Sequence, residues 1–561
     1  MPVESQPVTC PQCGYGRNAS TAKQCENCGR KLSQPNRLRS IAPVLLAYGV
    51  LIAGGYFLAK NIMLPLILGD TDRSAEVSSR TVDRPELTLL GDTFSGYSTF
   101  RNGAFQSALE ESGTTLNYED EFDQSARAAA LGNGKADFLV TTLDQFLRHK
   151  PKGKIVGMID NTIGADAAVL NNKKYPQLKS LLDLKKLVDE AKAKGQKPSI
   201  VYAVDTPSEY LALVLDTKFD TFNLSDFDLI EVADASDAWA VMQEPSKNVA
   251  IAILWEPFVT QAREQGYTVV LSSRDTPKSI VDVLVASDRV IQSQPEQVSN
   301  LLETYYRRID TNMRSAAELQ QQIAEDGDLA PEDAAAVLDG IDFFTAAESK
   351  TWMEKGTLTQ RINAIASVLV LSGQLDAVPA EPQKLYNPEP LAKAAKNTQT
   401  LISLIRADDP ELAAKLEGAV AGQGSPQAAV STRQIQDAPN IGNLDVQQVR
   451  FEFASTQLAD NGTQVLDQLA AEISEFNPET VAVRVIGHTS KTGDPETNKI
   501  ISQQRADVVA QYLKNKGLKQ NISAEGKGFS EPLPNISPDD PQNQRTEIRL
   551  VRIDSQTVSS R

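Results

Sequence analysis

All four cysteines of this 561-residue chain fall in two copies of one short pattern, Cys10-Pro-Gln-Cys13-Gly14 and Cys25-Glu-Asn-Cys28-Gly29. Thiolates two residues apart on a tight turn reach one ion together, and Gly14 and Gly29 supply the backbone freedom such a turn needs. Four sulfurs suit the tetrahedral preference of zinc, so one structural Zn2+ on Cys10, Cys13, Cys25 and Cys28 is expected. A redox dithiol or two disulfides are the alternatives, and a reducing compartment disfavours the second. The only histidines, His149 and His488, stand far apart and outside any GxSxG or HExxH setting. No P-loop, GxGxxG run or persuasive pair of catalytic carboxylates is present, so an enzyme is not expected. Hydroxyl-rich loops are more promising. Ser95, Ser98, Thr99, Thr141, Thr142, Thr206 and Ser208 are candidate donors to a small solute such as an oxyanion, with Tyr97 and Trp255 as walls. Ser and Thr in such places also act as ordinary helix caps. Asn498, Ser502 and Arg505 are spaced i, i+4 and i+7, one stripe of a helix, where the fork of Arg505 suits a carboxylate.

The elements that must position these groups begin with a membrane span. Residues 41–59, IAPVLLAYGVLIAGGYFLA, are nineteen positions without a charge. A helix rising ~1.5 Å per residue covers roughly 28 Å there, about the hydrocarbon thickness of a bilayer. Lys60 snorkels to the interface, and the apolar extension carries the expected lipid contact over 41–68. Arg17, Lys23, Arg30, Lys31, Arg37 and Arg39 precede the span against Glu4 and Glu26, while Asp70 and Asp72 follow it. The N-terminus is therefore expected in the cytoplasm and the bulk outside the inner membrane, in the periplasm. A cleaved signal peptide is the alternative, but its apolar core is shorter and paired cysteines do not precede it.

Composition narrows the partners. A formal charge of −17 argues against nucleic acid as a partner of the exported part. With 23% charged and 41% hydrophobic residues the chain can bury several cores, and after the span it has no cysteine, so its domains must stand on packing alone.

From residue 87 short apolar runs alternate with helix-like stretches: LTLLG at 87, DFLVTT at 137, KIVGMID at 154, SIVYAV at 199, VAIAIL at 249, TVVLSS at 268 and DVLVAS at 282. This rhythm predicts an α/β fold with mostly parallel strands, with helices at 98–112, 123–131, 178–194 and 235–243 and a helical tail after Asp288. Gly96-Tyr97-Ser98 after the first strand, Ala136-Asp137-Phe138, the Trp255-Glu256-Pro257 turn and the tail PEQVSNLLETYYRRID occur in an order that resembles the solute-binding proteins of ABC importers, the nitrate, sulfonate and phosphate type. The resemblance implies a two-lobed, type-2 periplasmic-binding-protein-like domain over 84–378, with a small-molecule solute in the cleft and an ABC permease as a partner. The other reading is a scaffold that has lost transport and docks other envelope proteins.

Residues 379–443 are expected to form a linker, with a helix at 390–405 followed by AGQGSPQAAVST as a flexible tether, and 446–553 to fold separately. The run Gly487-His488-Thr489-Ser490-Lys491-Thr492-Gly493, then Asn498, Ser502, Arg505 and Ala506, then Gly526-Lys-Gly528 and Asn543-Gln-Arg545-Thr-Glu547-Ile548, resembles the OmpA-like domain. That resemblance implies an α/β fold that binds the peptidoglycan stem peptide, with Ser490, Asn498, Ser502, Arg505 and Arg545 as site residues and Arg505 taking the carboxylate of diaminopimelate. Ser490 stands where the family has an aspartate, which removes a charged partner for the ammonium.

The cysteine segment, 1–36, resembles a zinc ribbon. The whole is therefore expected to be a multidomain α/β protein: a small cytoplasmic zinc ribbon, one transmembrane helix, a two-lobed domain and an OmpA-like domain. A segment of this size has almost no core, so the metal supplies most of its folding energy. A purified fragment of residues 1–36 is expected to hold one zinc and to unfold on chelation; a fragment without stoichiometric metal, or one indifferent to chelator by circular dichroism, refutes the assignment.

Overall fold

The structure is a computed structural model, and it describes residues 86–418, 430–444, 449, 451, 455–459 and 461–553, all within one compact unit, Arg84–Arg561. The cysteine segment, residues 41–68 and most of the expected strand at 449–453 lie outside the described residues. Among the described residues no helix is long and apolar enough to cross a membrane.

The chain builds a first sheet from β1 (Glu86–Gly91), β2 (Thr115–Asp120), β3 (Phe138–Thr142) and β4 (Gly153–Thr162), then passes to a second. That sheet holds β5 (Asp166–Leu170), β6 (Ser199–Ala203), β7 (Asp228–Val232), β8 (Val249–Trp255) and β9 (Thr268–Ser272). The chain then returns to the first sheet with β10 (Val281–Ser287) and β11 (Ile341–Phe343). The strand orders are β11-β4-β10-β3-β1-β2 and β7-β6-β8-β5-β9.

Every apolar run read from the sequence is a strand, but the parallel expectation holds only in part. β1 pairs in parallel with β2 and β3, and β6 with β7 and β8, while β10 is antiparallel to β3 and β4, and β5 to β8 and β9. The cause is topological: β4 carries the chain out of the first sheet and β10 brings it back, so these neighbours must run in opposite directions. The short segments 163–165 and 273–280 are the two crossings between the lobes.

Packing follows the residue pattern. In the helix Pro295–Arg314, Val298, Leu301, Leu302, Tyr305, Tyr306 and Ile309 recur at steps of three and one, and all are buried. Proline is tolerated at its first turn, where its missing N–H is not needed. Tyr305 stacks on Phe100 with centroids 4.5 Å apart, and the Tyr306 hydroxyl donates to the Met158 carbonyl at 2.7 Å. In the second lobe, β8 is buried on both faces. Ala252 and Leu254 pack with Val201 and Trp239, while Ile251 and Ile253 belong to the larger core, which is why its sequence reads as an unbroken apolar run.

The segment expected to be a linker is folded over much of its described length. Asn387 N–H bonds the Ile155 carbonyl at 2.8 Å, and the helix Ala392–Ile405 buries Ala394, Ala395, Thr398 and Ile402. Thr398 Oγ1 donates to Asp310 Oδ2 at 2.8 Å on the helix Pro295–Arg314. The alanine-rich face is what allows so close an approach. Its far end, β12 (Asn440–Asn443), is a strand of the C-terminal sheet, which continues with β13 (Val481–His488), β14 (Ile522–Gly528) and β15 (Thr546–Arg552) in the order β12-β15-β13-β14.

This C-terminal sheet is docked on the second lobe and on one crossing. Arg552 Nη2 meets Asp275 Oδ2 at 2.5 Å, and Arg552 Nη1 donates to the Val269 carbonyl at 2.9 Å. Asn477 N–H donates to the Asp275 carbonyl at 2.8 Å and Asn477 Nδ2 to the Arg274 carbonyl at 3.0 Å. Arg361 pairs with Glu475 at 2.6 Å, and Phe476 packs edge-on against Phe219 at 6.1 Å. Asp275 is 2% exposed, so removing its cation leaves a buried charge. Breaking such a pair costs ~3 kcal/mol. Arg552→Ala is therefore expected to separate the C-terminal unfolding transition from that of the two lobes in calorimetry; a melting profile unchanged from the parent chain refutes the docked arrangement.

Candidate functional site

Two places collect the residues singled out by the sequence: the cleft side of the two-lobed domain and the upper edge of the C-terminal sheet. On the cleft side, β1 ends in a loop whose Asp92 accepts the Phe94 N–H at 3.0 Å and pairs with Arg127 at 3.0 Å. Ser95 is partly exposed, whereas Ser98 and Thr99 are buried and take both hydrogens of the Gln322 amide, at 3.0 and 3.1 Å. Thr141 donates to Gln124 at 2.9 Å, and Thr142 Oγ1 is buried beside the Asp144 carboxyl. Thr206 caps the helix Pro207–Lys218, accepting the Ser208 N–H at 3.2 Å and donating to the Ala203 carbonyl at 2.8 Å. Ser208 Oγ is buried without a partner, and Trp255 is partly exposed at the end of β8. Most of these hydroxyls thus hold the scaffold together, as helix-cap chemistry allows.

Tyr97 has a more telling place. It is 2% exposed, lies edge-on to Phe94 at 5.2 Å, and its hydroxyl donates to Asp282 Oδ1 on β10. Beside Asp282, on the neighbouring β4, stands Asp160, 0% exposed. A Cβ on Gly96 would come within 2.3 Å of Asp160 Oδ2, so the loop closes over that carboxyl only because residue 96 is glycine. Asp144, after β3, and Asp166, opposite Trp255 at the start of β5, are also buried. Burial pushes Asp144 up to about 6 and Asp166 up to about 7. Burial also raises Asp160 and Asp282, and their proximity adds to the rise at Asp160. Sequence reading missed these acids, although a signal existed: Asp160 and Asp282 sit at the ends of apolar runs, KIVGMID and DVLVAS, where a strand buried on both faces leaves a carboxyl no route to water.

At the C-terminal edge, the stripe on the helix Pro495–Asn515 forms as expected and divides its tasks. Asn498 Nδ2 holds the Thr492 carbonyl at 2.9 Å, and Ser502 Oγ accepts the Gly528 N–H at 2.9 Å, fixing the two loops that flank the helix. Arg505 is 6% exposed; its Nε donates to the Ser455 carbonyl at 3.1 Å and its plane lies over Phe451 at 5.1 Å. Among the described residues its two terminal nitrogens have no hydrogen-bond partner and no acid forms an ion pair with it. Ser490 Oγ meets Thr492 Oγ1 at 2.8 Å and accepts from Gln544 at 3.2 Å. Arg545 is taken by Glu547 at 2.6 Å. Asp494 is spent as the helix cap, accepting the Thr497 N–H at 2.8 Å and its hydroxyl at 2.9 Å, so it does not restore the charge missing at Ser490. Among the described residues no group of three or more His, Cys, Asp or Glu side chains forms a metal site, and the four cysteines lie outside them.

The family model of OmpA matches residues 450–546. Outer membrane protein A of Shimwellia blattae is 41% identical over 86 residues, 15% of this chain and 36% of that protein, so the chain spans about a third of that relative's length. Among solved structures, the periplasmic aliphatic sulphonate binding protein SsuA of Escherichia coli overlaps 54% of this chain and 97% of its own at 14% identity and a TM-score of 0.41. The desulfurization enzyme DSZB overlaps 56% and 99% at 12% identity and 0.40. Both overlaps are weak, and the two-lobe architecture stands on the strand pairing described above.

His488 gives this edge a pH dependence. It is 1% exposed, its ring nitrogens have no hydrogen bond among the described residues, and burial holds it down to about 4. An unfolded histidine titrates near 6.5, so the stability tied to the neutral ring is complete above that value and is lost as pH falls toward 4. The loss from pH 7 to pH 5 is about 2 kcal/mol. His488→Leu is expected to shrink the drop in urea stability of the C-terminal transition between those pH values; an undiminished drop assigns the acid sensitivity elsewhere.

Proposed function

We propose that this chain is a non-enzymatic envelope protein that grips the cell wall through its C-terminal domain and binds a small solute between its two lobes. The observation that carries the wall reading is Arg505: a largely buried guanidinium, stacked on Phe451 and held by one backbone carbonyl, with its outer nitrogens unclaimed among the described residues. A carboxylate delivered from outside satisfies both nitrogens at once, in the paired geometry that the planar fork favours. The OmpA family match over residues 450–546 favours the stem peptide of peptidoglycan as the source of that carboxylate. Asn498 and Ser502 hold the loops around it, Arg545 braces the edge through Glu547, and Ser490 offers only a neutral hydrogen bond to the other end of the ligand.

In the same proposal residues 41–59 anchor the chain in the inner membrane with the N-terminus in the cytoplasm, and Cys10, Cys13, Cys25 and Cys28 hold one zinc there. The bulk then lies in the periplasm, within reach of the wall. A second reading has an observation in its favour: Ser98, Thr99 and Thr206 are bonded within the protein, which suits a scaffold that docks other envelope proteins, an ABC permease included, without carrying solute.

Arg505→Ala is expected to lower co-sedimentation of the chain with purified peptidoglycan at least tenfold, with Arg505→Lys in between because an ammonium cannot make the paired contact. Ser490→Asp is expected to strengthen it by the equivalent of about 1–3 kcal/mol, a charge-assisted bond regained. Sedimentation that ignores Arg505→Ala refutes the wall reading.

A further inference from the structure

Two helices from different lobes meet end to end. The helix Leu143–His149 follows β3 in the first lobe and carries Arg148 and His149 in its last turn. The helix Pro207–Lys218 follows β6 in the second lobe, with Asp205 just before its cap Thr206 and Glu209 in its first turn. Cations at a helix C-terminus and acids at a helix N-terminus are each favoured by the local backbone charge, so the two ends attract one another.

The pairing itself is specific. Arg148 Nη1 donates to Glu209 Oε2 at 3.0 Å and Nη2 lies 3.0 Å from Asp205 Oδ1, so a single planar fork spans two carboxylates. Glu209 Oε2 also accepts the Asp205 N–H at 2.8 Å, and Glu209 Oε1 accepts from Gln374 at 2.7 Å. Asp205 holds a φ of 55°, in the left-handed region that aspartate enters more readily than most residues, and its N–H folds back onto the Glu209 carboxylate. His149 Nε2 stands 3.9 Å from the same Asp205 oxygen that faces Arg148. Side-chain exposure is 17% for Arg148 and 9% for Glu209, which sets this contact apart from a solvated surface pair, because removing one partner strands the other charge away from water.

The chain itself joins the lobes at 163–165 and 273–280. There Ser273 Oγ accepts the Gly164 and Asp166 N–H groups at 2.8 and 3.3 Å, and Gly164 takes a φ of 131° that glycine alone adopts freely. Two adjoining crossings of this kind permit one lobe to turn on the other. Arg148 adds a further tie, and a breakable one. The helix Thr357–Leu371 packs against both of the paired helices and leads into Gln374, so the tail reinforces the same contact.

We propose that Arg148 is a latch that holds the two lobes together without solute, so that opening of the cleft requires its fork to leave Asp205 and Glu209. Its role as a gate rests on the solute-binding reading, whereas the latched arrangement rests on these contacts alone.

The test is a distance measurement between spin labels coupled to ketone-bearing residues introduced at Lys135 in the first lobe and Glu190 in the second, both exposed, in the full chain in detergent and without solute. Ketone coupling leaves the four cysteines untouched. The parent is expected to give one narrow distribution, and Arg148→Ala a broader one with a shifted mean. Arg148→Lys is expected to fall between them, since an ammonium cannot span both carboxylates. Glu209→Gln keeps the shape of the side chain and removes its charge, so it is expected to shift the mean in the same direction as Arg148→Ala, and it reports on the latch even where that variant fails to fold. Such shifts support the latch by themselves, because no solute is in the sample. Distributions that are the same in the parent, Arg148→Ala and Glu209→Gln overturn it and leave the solute-binding reading standing.

Discussion

Three parts of the molecule meet at Asp275. Its carboxylate accepts the Ser272 N–H at 2.8 Å and the Ser272 hydroxyl at 3.0 Å from its own segment, and takes Arg552 from the C-terminal sheet at 2.5 Å. Its carbonyl receives the Asn477 N–H. Because the group is buried, these donors are what makes its ionised form tolerable there, and they also tie the crossing between the lobes to the domain that follows 200 residues later, as Asn477 and Arg274 illustrate. Any movement at the crossing must either carry the C-terminal sheet along or break a desolvated ion pair.

The docking leaves the other end of that sheet free. Val481 pairs with Arg552 at the docked end of β13, and the same strand ends at His488, beside the loop that carries Ser490. At ~3.3 Å per residue the strand separates the two ends by roughly 23 Å. A wall ligand at Arg505 and the contact with the second lobe therefore do not compete for one surface. The helix Ala392–Ile405 adds stiffness from the other side by joining the first lobe through Asp310 and Thr398. What looks in sequence like a string of separate units is, over the described residues, one connected body.

Charge gives the cleft its character. Hydroxyls dominate the loops, yet the structure uses most of them for caps and for the Gln322 contact, while the buried acids Asp160 on β4 and Asp282 on β10 face each other beneath Tyr97. These strands are the ones that cross between the lobes or adjoin the crossing. Asp160 and Asp282 meet only when β10 returns to pair with β4 in the first sheet, so their proximity belongs to topology and not to any local motif.

The order of strands and helices, the apolar stripe of Pro295–Arg314 and the i, i+4, i+7 stripe of Asn498, Ser502 and Arg505 were legible from the residues, because period and spacing act over a few turns of chain. So was the OmpA-like edge through its motif, although what demands Gly487 and Gly526 is the close approach of the helix backbone at Ser502 and Gln503. The antiparallel partners of β4, β5 and β10, the packing of the helix Ala392–Ile405 on the first lobe and the seating of Arg552 on Asp275 were not, since each joins residues far apart in sequence and no local pattern encodes the partner. The same holds for Asp160 and Asp282, separated by 122 positions in the chain and set side by side by the return of β10. Sequence alone specified which residues can form the elements; tertiary packing decided which polar groups are left without water, and that is a property of neighbours brought together by the fold.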